Sequence, residues 1–167
     1  MPLPSFCWYC IFQALVLLIA ANGAPVISGK VLGNRLARPI DNGFKLSNGY
    51  RLFGNSKTWR GLFSAVMFST VVAILFGIHP LTGVLFGALT ITGDLLASSI
   101  KRRRGKIESS RARGLDILPE SLVPLYFLRD SLALNLIEIT MIVGFFFLIE
   151  EFVSPILFRL HIRDQPY

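Results

Sequence analysis

The chain has 167 residues, 53% of them hydrophobic, with a mean hydropathy of +0.59 and a formal net charge of +7. A soluble domain is usually about 45–50% apolar, and here the apolar residues are gathered into long runs. No Asp, Glu, Lys or Arg occurs in 1–26 or in 61–93. The basic excess does not describe a nucleic-acid binder, because seven of the 17 Lys and Arg fall in 26–60 and seven more in 100–116, between apolar runs. That distribution is how a membrane protein marks its cytoplasmic side.

The first run predicts a span over about 5–25, since a crossing helix needs about 20 apolar residues. A cleaved signal peptide wants a positively charged start, and the first basic residue is Lys30, so the span is expected to be retained with its N-terminus outside. Cys7 and Cys10 form a C-x-x-C with no His and no second pair nearby. They are read as two small apolar residues facing lipid or a neighbouring helix. A loop over 26–59 follows. The second uncharged run is long enough for two spans, one from Arg60 to about Gly77 and one over 81–99, joined by Gly77-Ile78-His79-Pro80. Pro80 blocks continuation of the helix before it, and His79 is read as an exposed turn residue. The loop 100–115 carries the basic cluster.

A fourth segment begins near Asp116, with Pro119 tolerated in a first turn. Its apolar part, 117–128, covers only about 18 Å as helix. It either runs on past Arg129-Asp130, whose side chains would snorkel, or stops short as a re-entrant segment. A fifth span is predicted over 134–158. The expected fold is therefore all-α: one domain over 1–167, a polytopic membrane bundle of about five transmembrane helices, with large cytoplasmic loops after helices 1 and 3. No internal repeat is visible, which speaks against a transporter built from two symmetric halves.

Ionisable groups inside spans are costly, and they are functional candidates by default. Asp94, Ser98 and Lys101 share one face of the third helix, a carboxylate, a hydroxyl and an ammonium together. The plainer reading of Asp94 is a buried pair with Lys or Arg that holds two helices together. Asp116 and Glu120 are four apart and also share a face. Two such carboxylates suit a hard cation such as Mg²⁺, although Asp116 could equally cap the helix and Glu120 favour its N-terminus. In Phe53-Gly54-Asn55-Ser56-Lys57-Thr58-Trp59-Arg60-Gly61, Lys57 and Arg60 are able to hold phosphate, or Trp59 and Arg60 simply to anchor the interface. The run 49–58 is not a P-loop, because Asn55 and Ser56 separate the second Gly from the Lys and no strand precedes it. The run 101–104 sets topology and is compatible with an anionic lipid head group. Glu138, Glu150 and Glu151 lie in the fifth span, and Glu150 or Glu151 is placed to face the site.

Four stretches together resemble the CDP-archaeol synthase family, relatives of the CTP:phosphatidate cytidylyltransferases, in the form also found in bacteria. They are Arg38-Pro39-Ile40-Asp41-Asn42-Gly43; Leu52-Phe53-Gly54 with Ser56-Lys57-Thr58-Trp59-Arg60-Gly61; Gly93-Asp94-Leu95-Leu96-Ala97-Ser98-Ser99-Ile100-Lys101-Arg102-Arg103; and Gly114-Leu115-Asp116 with Pro119-Glu120-Ser121. The closing Arg163 to Pro166-Tyr167 is also similar. The chain departs from the family at Asn48-Gly49-Tyr50, where Asp-Gly-Arg is usual, and at Ile117, where Gln is frequent. The resemblance implies that CTP and a phosphorylated glycerolipid, archaeol phosphate-like or phosphatidate-like, give a CDP-lipid and pyrophosphate with Mg²⁺. It implies Asp94, Asp116, Glu120 and Asp41 as metal ligands, and Asp94, Lys57 and Lys101 as the catalytic set. Arg60, Ser98, Arg102, Arg38 and Thr58 are then expected to hold substrate. The implied setting is a bacterial inner membrane, with the bilayer, CTP and the lipid as partners, no nucleic acid, and the active site facing the cytoplasm. No oligomeric state follows. A non-catalytic lipid-binding scaffold on the same fold is the alternative. A CDP-alcohol phosphotransferase is not, because its Asp-Gly and Ala-Arg signature is absent.

Overall fold

The computed structural model describes residues 6–33, 35–45, 49, 51–105 and 116–159. Asn48, the basic residues Lys106, Arg111 and Arg113, Gly114, Leu115 and the closing Arg163, Pro166 and Tyr167 lie outside the described residues. The described chain is all-helical: α1 (Trp8–Leu32), α2 (Trp59–Leu75), α3 (Pro80–Arg103), α4 (Ile117–Phe127) and α5 (Leu136–Arg159). Two isolated β-bridges, Pro39 with Thr58 and Lys45 with Arg51, are its only extended pairing among the described residues. α1 and α3 are each long and apolar enough to cross a membrane.

Two boundaries differ from expectation for physical reasons. α1 does not stop near Pro25 but continues to Leu32. A mid-helix proline removes one backbone donor and crowds the turn before it; here Pro25 is accommodated inside the helix and lies beside Gly61 of α2, where an added Cβ would sit 3.5 Å from the Pro25 Cβ. α3 runs to Arg103, so Lys101, Arg102 and Arg103 form its last turn rather than part of a loop. Cations in a last turn complement the partial negative charge of the helix C-terminus. His79 is an exposed cap: its Nδ1 accepts from the Leu81 N–H at 3.2 Å, and Pro80 occupies the first helical turn.

The α2–α3 contact is built from small residues. Ala65, Ser69 and Ala73 recur every fourth residue on α2, and all three are buried. Gly83 and Gly87 face them from α3. A Cβ on Gly83 would lie 2.7 Å from Thr70 Cα, and one on Gly87 2.7 Å from Val66 Cα, so only glycine permits this approach. The Ser69 hydroxyl lies within donating distance of the carbonyls of Ala65 (2.6 Å) and Gly83 (2.9 Å). Close helix approach through small residues with an interhelical hydrogen bond is the packing mode favoured where no water drives association. α1 joins α2 through Ser28 Oγ to Ser64 Oγ at 3.2 Å, and through Gln13 Nε2 donating to the Phe76 carbonyl at 3.2 Å. The apolar core runs from Leu17 and Leu18 of α1 through Phe86 of α3 and Leu125 of α4 to Ile142 and Phe146 of α5.

α4 stops at Phe127 and does not run past Arg129-Asp130. At 11 residues it is about 16 Å long. Turns over 128–134 carry the chain into α5. There Asn135 and Glu138 form a reciprocal capping box: the Glu138 N–H donates to Asn135 Oδ1 at 2.9 Å, and the Asn135 N–H to Glu138 Oε2 at 2.8 Å. The other Glu138 oxygen accepts from the Cys7 N–H at 2.7 Å, which ties the start of α5 to the start of α1. Cys7 and Cys10 are not a pair of free apolar side chains. They form a disulfide at the first turn of α1, where Cys7 is the helix cap. The spacing places the two sulfurs on one side of that turn, and the preference for the apolar reading over a redox pair is overturned by the bond between them.

Candidate functional site

The site forms where α4 begins. Gly93 of α3 lies directly against the first turn of α4, where a Cβ would sit 2.6 Å from the Pro119 carbonyl carbon and 2.8 Å from Glu120 Cα. This contact is ten residues before the end of α3 at Arg103, about 15 Å along the helix. α4 is short because it starts deep against its neighbour. The same contact brings Asp94, the residue after Gly93, beside Glu120.

Two lysine–aspartate pairs occupy the face of α3 that the sequence singles out. Lys57 Nζ lies 2.6 and 2.5 Å from the two Asp94 carboxylate oxygens. Lys101 Nζ lies 2.6 Å from Asp116 Oδ1. Asp94 and Lys101 are two helical turns apart, with Ser98 buried between them. The Asp94 pair joins α3 to the α1–α2 loop and so also performs the helix-tying role of the plainer reading. Asp116 precedes α4 but its side chain makes no capping bond, so its carboxylate serves Lys101 instead. Glu120 is within electrostatic reach of Asp94, Lys57 and Asp116, and also of Glu150 from α5. The Glu150 Oε2 accepts from the Ser154 hydroxyl at 3.2 Å. Burial alone would lower the Lys57 pKa; Asp94, with Glu120 and Asp116 beyond it, raises it above the ordinary lysine value on balance. Lys57 is therefore a cation at every physiological pH. Arg102 is almost fully buried next to Lys101 at the end of α3.

The α1–α2 loop is organised about Asp41, whose side chain is fully buried. Its Oδ1 accepts from the Gly43 N–H at 3.0 Å and from an Arg51 guanidinium nitrogen at 2.5 Å. Its Oδ2 accepts from the N–H groups of Phe53 and Gly54, each at 3.2 Å. Burial pushes the Asp41 carboxyl up, but Arg51 and the three backbone donors more than reverse this and hold it below the ordinary value. A carboxylate has about four acceptor positions, and all four are taken. In this arrangement all the acceptor positions of Asp41 are turned to the loop itself. Arg51 carried no recognisable signal: it is ten residues from its partner and belongs to no motif.

The remaining expected residues divide by location. Thr58 caps α2, its Oγ1 accepting from the Gly61 N–H at 3.2 Å. Arg60 donates to the carbonyls of Gly33 (2.6 Å) and Arg35 (2.9 Å), so its fork binds the chain leaving α1. Arg38 is exposed and donates to Asn42 Oδ1 at 3.0 Å. These three shape the loop, while Asp94, Lys57, Ser98, Lys101, Arg102, Asp116 and Glu120 lie on or against α3. Among the described residues no three His, Cys, Asp or Glu side chains converge as a ligand set. Mg²⁺, however, is commonly held by only one or two carboxylates with substrate phosphates completing the shell. Asp94 and Asp116, with Glu120 beside them, are hard oxygen donors that fit this requirement.

A CarS-like CDP-archaeol synthase family model matches residues 8–82. Curated relatives are the CDP-archaeol synthases of Sulfurisphaera tokodaii, 31% identical over the whole of both chains, and of Sulfolobus acidocaldarius, 29% identical over 90% of this chain and 91% of that one. That of Pyrococcus abyssi is 38% identical over 64% of this chain and 68% of its own. A solved structure described as an intramembrane enzyme for archaeal membrane lipids biosynthesis has the same fold, with a TM-score of 0.66 at 23% identity, covering 81% of this chain and 89% of that one. These relatives are archaeal, and the bacterial origin expected from the sequence finds no support among them.

Proposed function

The chain belongs to the CDP-archaeol synthase family, and from that premise we infer an integral membrane enzyme that transfers the cytidylyl group of CTP to a lipid phosphate. An oxygen of the lipid phosphate attacks the α-phosphorus of CTP. The bond from that phosphorus to the oxygen bridging to the β-phosphate breaks, and pyrophosphate leaves with the electron pair. The family name points to a diether glycerol phosphate as the acceptor. A non-catalytic scaffold of the same fold is not favoured.

The observation that carries the site assignment is the seating of α4's first turn on Gly93, which sets Asp94 and its partner Lys57 beside Glu120, with the Lys101–Asp116 pair two turns further along α3. Phosphoryl-group chemistry of this kind asks the protein for alignment of two anions and for neutralisation of charge. Lys57 and Lys101 are placed to hold the triphosphate, and Arg102, with Ser98, the acceptor phosphate. Asp94 and Asp116, helped by Glu120, would hold Mg²⁺, which supplies further neutralisation of the phosphate oxygens and of the leaving group. The lipid chains would lie against the apolar helices.

The topology follows the charge map. Five helices with the N-terminus outside put the basic end of α3 and both basic loops in the cytoplasm. The site then extends from Asp94, about 15 Å below the cytoplasmic end of α3, up to Lys101 in the last turn of that helix. The reading is tested with purified protein in lipid-doped micelles given CTP, Mg²⁺ and either a diether or a diacyl glycerol phosphate. Pyrophosphate release with the diether lipid is expected. Release without any lipid phosphate, or none with either lipid from folded protein, contradicts it.

A further inference from the structure

We propose that Asp41 is a positioning residue for the reaction, the point about which the α1–α2 loop folds so that Lys57 reaches α3; this rests on the cytidylyl-transfer reading above. The loop closes near its base through two backbone hydrogen bonds, which together make one antiparallel β-bridge. Ile40 N–H donates to the Lys57 carbonyl at 2.9 Å and Trp59 N–H donates to the Arg38 carbonyl at 3.0 Å, pairing Pro39 with Thr58. These fix the strand-like segment that carries Lys57 beside the segment that carries Asp41. The segment in between is drawn inward by the Asp41 carboxylate, which binds Arg51 and the Phe53-Gly54 backbone. Arg51 is also bonded to Asn55, two residues before Lys57. The path from Asp41 to the ammonium on Asp94 is thus continuous: carboxylate, residues 51–55, Lys57, α3.

Asn in place of Asp41 would present an NH₂ group where two of the four donors now point, so it opposes the arrangement as well as removing its charge. Arg51→Gln weakens the same arrangement from the other side without touching the carboxylate. A metal ligand at 41 would behave differently, because removing Arg51 would leave the carboxylate free to ligate.

The experiment compares wild type, Asp41→Asn, Arg51→Gln and the double variant as full chains in lipid-doped micelles. Three quantities are read: kcat for pyrophosphate release per folded molecule, the Mg²⁺ concentration at half-maximal rate, and the rate of chymotryptic cleavage between α1 and α2, whose aromatic sites no variant alters. A displacement of about 1 Å in a reacting group costs about 10²-fold, so Asp41→Asn is expected to lower kcat by about 10²-fold and Arg51→Gln by less. The double variant should be no slower than Asp41→Asn, because residues in one network are not additive. The Mg²⁺ midpoint should not move, and chymotryptic cleavage should accelerate in each variant. A shifted Mg²⁺ midpoint with cleavage unchanged overturns the proposal in favour of a metal ligand. An unchanged kcat with faster cleavage overturns it in favour of a purely structural role. Should Asp41→Asn not fold, Arg51→Gln decides on the same readings. An inactive but folded wild type overturns the reaction reading itself, whereas an active wild type with unaffected variants overturns only the role of Asp41.

Discussion

Replacing Asp94 with Asn is expected to reduce turnover by about 10³-fold, the upper range for removing one electrostatic group from a site, while leaving the protein folded. The change preserves the shape of the side chain and removes only its charge. Lys57 then faces a neutral amide in place of two carboxylate oxygens at 2.5–2.6 Å, and one of the hard donors suited to Mg²⁺ is lost. The fold loses stability as well, because the paired side chains are only 25% and 20% exposed and Lys57 is left without its charged partner in a largely buried position. The check is turnover normalised to the folded fraction, with thermal unfolding measured alongside. Turnover near wild type would remove Asp94 from the site.

Gly93→Ala is expected to have the next largest effect, although it adds only a methyl group. The new Cβ would meet the backbone of Pro119 and Glu120, and backbone cannot rotate aside as a flexible side chain can. α4 must shift away from α3, carrying Asp116 and Glu120 with it. The expected fall in turnover is about 10²-fold, with a stability loss of about 1–3 kcal/mol from overpacking. Gly144→Ala on α5 is the matched control, because nothing lies within 4 Å of a Cβ there. It should leave turnover unchanged and, by helix propensity, stabilise slightly. Equal turnover in the two variants would show that the α3–α4 contact does not set the site.

What the sequence reveals and what it conceals divides along the range of the interactions. Helix periodicity is local, so it places Asp94, Ser98 and Lys101 on one face and Asp116 with Glu120 on another, as the structure has them. Hydropathy and the His79-Pro80 break are also local, and they separate α2 from α3. The continuation of α1 beyond Pro25, where Gly61 of another helix lies beside the ring, is not signalled by any pattern within α1. The same holds for α4, whose short length follows from its seating on Gly93. The four-donor role of Asp41 also needs the folded loop, since Arg51, Phe53 and Gly54 are ten or more residues away along the chain. The resemblance marked Arg60, Thr58 and Arg38 as substrate residues, but their bonds run to the chain end of α1, the α2 cap and Asn42. A motif preserves position, and these bonds give each of the three a structural duty that the motif does not name.

Supplying CTP labelled at the α-phosphate, together with a diether glycerol phosphate and Mg²⁺, and following the label between aqueous and lipid phases tests the central claim most directly. The account predicts that the label enters the lipid phase in step with pyrophosphate release, and that Asp94→Asn abolishes both. Label that remains in water while pyrophosphate appears, or label transfer that persists in Asp94→Asn, would contradict it.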